Sequence, residues 1–92
     1  MQTKTYNLFH GLTQSQKDLL KYLAEIPVKK GIKVDALKAR NIVQVEFFEA
    51  CLSELIKKQF AKQITHTNKD TGYKADYICI NELIRQRVKD GI

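Results

Sequence analysis

The 92-residue sequence predicts an α+β domain: a three-helix core, a β-hairpin and a C-terminal helix, with residues 1–92 forming one unit. Three observations predict it. Apolar residues recur at helical spacing before Pro27 and again between residues 45 and 59. Two β-rich segments, "AKQITHT" and "KADYICIN", flank the turn-forming "NKDTGY". The length suits a single modest core, and a 43% hydrophobic content is enough to fill it and argues against disorder.

The first helix opens at "TQSQ", where Thr13 caps and Gln16 reaches back to the cap's own N–H. Leu12, Leu19, Leu20, Leu23 and Ile26 form its apolar face over residues 13–25, and Pro27 closes it. "PVKKG" reads as a turn and "IKV" as a short extended piece. In "DALKAR" Asp35 stands in N-cap position before one or two helical turns, and Asn41 follows where a left-handed C-cap residue belongs. A long helix then runs over residues 45–59. After the hairpin, "ELIRQRVKDGI" returns to helix, with Ile84 and Val88 on one face and Arg85, Arg87 and Lys89 mostly on the other.

Sixteen Lys and Arg against ten Asp and Glu give a net charge of +6, which favours a polyanionic partner over an acidic surface's partners. The excess is clustered. Lys29, Lys30, Lys33, Lys38 and Arg40 meet one acid, Asp35, between residues 29 and 40. Lys57, Lys58 and Lys62 form a second group, and Lys69 and Lys74 flank Tyr73 in a third. Each lysine alone reads as a solvated surface residue; three groups interleaved with aromatics read as phosphate contacts.

The long helix sharpens the question. Advancing 100° per residue places Val45, Phe48, Leu52, Leu55, Ile56 and Gln59 on a core stripe with Cys51 at its edge. Glu46, Phe47, Ala50, Ser53, Glu54, Lys57 and Lys58 face the other way, and Glu49 lies on the flank. Major-groove readers carry donors at this end of the helix, whereas here it carries acids. Those acids read either as partners of the positive end of the helix dipole, the favoured reading, or as acceptors from cytosine N4, and both readings disfavour ordinary docking in duplex DNA. Phe47 either stacks on a base or packs beneath the hairpin or the N-terminal segment "TYNLF".

No apolar run approaches the roughly 18 residues of a membrane span. "MQTKTYNLFHG" lacks the apolar centre of a signal peptide, so an intracellular, cytoplasmic protein is expected, with no membrane partner. Cys51 and Cys79 lie in apolar runs and read as buried thiols. A zinc site joining them to His10 and His66 lacks any C-x-x-C or H-x-x-x-H spacing, so neither metal nor cofactor is expected. The four glycines are isolated and no nucleophile–base motif is present, which points to a non-enzyme.

The order helix, short strand, helix, turn, helix, hairpin, helix resembles the winged-helix family over roughly residues 12–90. "DALKARNIVQVEFFEACLSELIKKQF" looks like the family's second and third helices, and "AKQITHTNKDTGYKADYICI" looks like its wing. The resemblance implies a helix-turn-helix with a wing, a scaffold that serves repressors, replication proteins and protein-docking modules. In overall form the chain is similar to the small single-stranded-DNA-binding winged-helix proteins of staphylococcal cassette elements. That likeness implies sequence-tolerant binding of single-stranded DNA in replication or transfer of a mobile element. Two other readings stand beside it. One is a dimeric repressor of duplex DNA, paired through Leu83, Ile84 and Val88 of the C-terminal helix; the other is a docking module using Phe47 and the acids.

Overall fold

A computed structural model describes residues 9–91 of the chain. Thr13 starts the first helix, α1 (Gln14–Ala24), through the expected capping box: its hydroxyl accepts from the Gln16 N–H at 3.2 Å, and Gln16 Oε1 accepts from the Thr13 N–H at 2.9 Å. Leu19, Leu20, Leu23 and Ala24 are buried. At the far end the Arg85 Nε–H donates to the Ala24 carbonyl at 3.0 Å. A guanidinium there satisfies an orphan carbonyl and sits at the negative end of the helix dipole. Arg85 is therefore half-buried, not on the solvent side where its helical phase had put it.

The Pro27 carbonyl accepts from the N–H groups of both Lys30 and Gly31, turning the chain into β1 (Ile32–Lys33). The expected strand loses Val34 to α2 (Val34–Ala39), whose N-cap is Lys33 with no side-chain cap bond. Asp35 lies in the first turn instead of at the cap, where it still complements the helix dipole. Asn41 takes the expected left-handed conformation, with φ 55°.

The next helix, α3 (Val45–Lys57), buries Phe48, Cys51, Leu52 and Leu55. Two ends of the expected stripe do not hold. Val45 is 58% exposed, because the first residue of a helix projects back past the core layer. Gln59 is exposed and lies outside the helix at φ 65°. The Phe60 N–H reaches the Leu55 carbonyl and the Gln59 N–H reaches that of Ile56, both at 2.9 Å, which is the Schellman pattern. Phe60 and Leu55 are both buried, so the demand of Phe60 for the core ends the helix early.

Strands β2 (Ala61–Thr67) and β3 (Lys74–Ile80) form the hairpin, pairing antiparallel from Ala61 opposite Ile80 to Thr67 opposite Lys74. β1 joins the other edge of β3, giving a three-stranded antiparallel sheet of order β1-β3-β2. Asn81 leads into α4 (Glu82–Asp90), where its carbonyl accepts from the Ile84 N–H, and three further bonds fix it. Its Oδ1 accepts from the Leu83 N–H, its Nδ2–H donates to the Gln59 carbonyl, and its own N–H donates to that of Phe60. Ile84 and Val88 pack into the same core as Ile78, Ile80 and the helical leucines. They are therefore not available to pair two subunits; of that expected dimer surface only Leu83, 87% exposed, faces solvent. The fold is α+β, with four helices and one small sheet over the described residues. No described helix is long and apolar enough to cross a membrane.

Candidate nucleic-acid interface

Strand register decides which side chains share a face. Directly opposed residues of an antiparallel pair point the same way, and successive residues alternate. Ile78 and Ile80 are fully buried on the helix side. Tyr77 and Cys79 therefore point to the outer face, where Lys33 and Ile64 lie opposite Tyr77, Lys62 opposite Cys79, and His66 opposite Ala75. Two contacts fit this assignment. The rings of His66 and Tyr77 meet edge to face with centroids 6.3 Å apart. On the helix side, the Thr65 hydroxyl donates to Asp76 Oδ1 at 2.8 Å.

The turn after α1 brings more cations to this outer face. Gly31 has φ +61°, and a Cβ there would lie 3.0 Å from the Ile78 carbonyl oxygen. Only glycine lets the segment lie this close to β3. The segment 28–31 then borders an open groove of about 300 Å³ lined by Val28, Lys29, Lys30, Ile64, His66, Tyr77 and Cys79. Cys79 is 3% exposed although it points away from the main core. No carboxylate lines the groove, and none occurs among the strand residues of that face. Lys62 borders a second depression, at the sheet's edge, that includes Glu82.

The outer side of α3 differs in charge. Phe47 is 57% exposed, as its helical phase requires, and it borders a depression of about 530 Å³ with Thr13, Gln16, Ala50, Cys51, Glu54 and Lys58. Residues 5–8 of the "TYNLF" segment, the alternative cover expected for Phe47, lie outside the described residues. Phe9 packs instead on Phe60, ring centroids 5.5 Å apart. Lys58 Nζ lies 3.9 Å from Glu54 Oε1, an exposed pair worth about 1 kcal/mol at most. Burial pushes the Cys51 thiol above its usual range, and both cysteines are buried and free.

The remaining candidates are dispersed. Lys38 lines a cleft with Asp35 and Glu49, and Arg40 follows α2 as its C-cap. Lys57 ends α3. Lys69, Tyr73 and Lys74 are exposed at the hairpin tip, where Asn68 organises the turn by accepting from the Asp70 and Thr71 N–H groups.

The structure thus regroups the twelve candidates. Lys29, Lys30, Lys33 and Lys62 gather on the outer face of the sheet, across two of the sequence groups. Phe47 and Lys58 share a surface with acids. Sequence reasoning passed over Tyr77 and Ile64 and weighed His66 only as a zinc ligand; the available signal was the period-two alternation of "KADYICI" carried across a six-residue turn. No family model, curated protein or solved structure matches this chain.

Proposed function

We propose that this chain is a winged-helix domain that binds DNA without catalysing a reaction, preferring single strands and tolerating their sequence. The observation that carries the reading is the convergence of Lys29, Lys30, Lys33 and Lys62 on one face whose groove has no carboxylate. Such a face attracts phosphates and releases their counterions whatever the base sequence. The order of elements, with β1 as third strand of the sheet, is compatible with a winged helix.

The preference for single strands comes from α3. Its first turns carry Glu46 and Glu49 where a major-groove helix carries donors, so it repels the duplex it would have to enter. Exposed rings beside cations suit unpaired bases, which stack without regard to sequence. The resemblance to cassette-element proteins supports a role in replication or transfer of a mobile element.

Fluorescence anisotropy with matched single-stranded DNA, duplex DNA and RNA probes at about 50 and about 200 mM salt tests the reading. Single-stranded DNA is expected to bind tightest, weakening steeply with salt. Duplex binding as tight as single-strand binding would give the repressor reading instead, and failure of every probe would leave a protein-docking module.

A further inference from the structure

We infer that a single strand crosses the outer face of the sheet and stacks a base on Tyr77, not on Phe47; the inference rests on the single-strand reading above. Tyr77 belongs to the central strand, is half-buried, and meets the His66 ring in a T-shaped contact with centroids 6.3 Å apart. Its ring is therefore held by the sheet before any base arrives, so less ordering is lost on binding. Ile64, directly opposite it, is 46% exposed and extends the apolar floor.

Each edge strand contributes one cation to this floor. Lys33 lies opposite Tyr77 on one edge strand and Lys62 opposite Cys79 on the other. Two strand spacings and a two-residue offset put their Cα atoms about 12 Å apart, with Tyr77 between them. Lys29 and Lys30 line the third side of the groove. A base on Tyr77 thus leaves the phosphates before and after it near a lysine. Phe47 offers the opposite setting, with Glu46 beside it on the helix and Glu54 in its depression.

The occupant follows from charge. An acid-free groove lined by Lys29 and Lys30, with Lys33 and Lys62 on the strands of the same face, fits a flexible polyanion with planar apolar groups, and DNA and RNA strands share that chemistry. The two are separated by probes of oligo-dT and oligo-rU of equal length.

Four variants test the inference, with circular dichroism and melting to show that each is folded. Tyr77→Leu is expected to weaken binding of oligo-dT about 5- to 150-fold, and Tyr77→Phe to keep it. Replacing Lys29, Lys30, Lys33 and Lys62 together by Ala is expected to flatten the salt slope by about three units, at about 0.7 per contact. Phe47→Ala is expected to change little. If Phe47→Ala weakens binding while Tyr77→Leu does not, the assigned face is wrong but the single-strand reading survives. If the wild type binds neither oligo-dT nor oligo-rU, both fall. Should Tyr77→Leu unfold, amide shifts of the wild type titrated with oligo-dT decide: shifts over residues 62–66 and 75–79 support the sheet face, and shifts confined to residues 44–58 overturn it.

Discussion

The outer side of α3 and the outer face of the sheet each expose an aromatic ring beside lysines, yet they present opposite electrostatic settings. On α3 the ring of Phe47 has Glu46 and Glu54 for company, and Lys58 is already within 3.9 Å of a carboxylate. On the sheet, Tyr77 and His66 line a groove with Lys29 and Lys30 that has no carboxylate, and Lys33 and Lys62 stand on the same face, Lys62 toward the edge where Glu82 lies. The net charge of the chain does not distinguish these surfaces. What distinguishes them is which residues the strand register brings together, because an anion responds to the charges within roughly a Debye length, about 10 Å at 0.1 M salt.

The comparison depends on both faces being built on one core, and the largest expected effect tests that dependence. Leu52 is buried on α3 within the shared core cluster. Leu52→Ala is expected to destabilise the domain by about 2–5 kcal/mol, visible as a large fall in melting temperature, and to disable both faces equally. A melting temperature that scarcely moves would show that α3 is not held as described.

Next in size is Gly31→Ala, which separates the faces. The added methyl group would meet the Ile78 carbonyl oxygen at 3.0 Å from a backbone already at φ +61°. We expect a loss of about 1–3 kcal/mol in stability, measured by urea denaturation. In protein that remains folded, the displaced Lys29 and Lys30 should weaken single-strand binding, while any ligand of the α3 face would be unaffected. Unchanged stability would mean that the segment can lift from β3 freely.

The smallest expected effect sharpens the contrast. Glu46→Gln removes one negative charge from the exposed side of α3, away from the lysine groove. Single-strand affinity measured at low salt should stay within about twofold, or tighten by a few tenths of a kcal/mol, as for a remote screened charge. Abolished binding would return α3 to the interface.

Most of the fold was legible in the sequence because its signals are local. The Thr13 and Gln16 box, the left-handed Asn41 and the "NKDTGY" turn are each decided by neighbours a few residues away. The start of α3 at Val45 was legible, but its end was not, since the core's need for Phe60 overrides the helical period at Gln59. Arg85 was misplaced for a related reason: its bond to the Ala24 carbonyl joins residues 61 positions apart. The site was less legible than the fold. Grouping lysines by adjacency put Lys62 with Lys57 and Lys58, whereas the register places it on the face of Lys33 and Tyr77. Periodicity shows that a strand has two faces, but only the packed structure shows which of them the helices leave open.

The burial of the two cysteines gives each face its own clock. Cys79 lies under the groove bordered by Lys29 and Lys30, and Cys51 lines the depression beside Phe47. A buried thiol meets an aqueous alkylating reagent only when the structure above it opens, so its labelling rate counts openings in the way amide exchange does. The raised thiol pKa of Cys51 slows its chemistry further, since the thiolate is the reacting form. Mass spectrometry of the two labelled peptides from one sample therefore times the opening of both surfaces without any substitution. A strand lying across the sheet should lengthen the lifetime of the Cys79 thiol and leave that of Cys51 as it was.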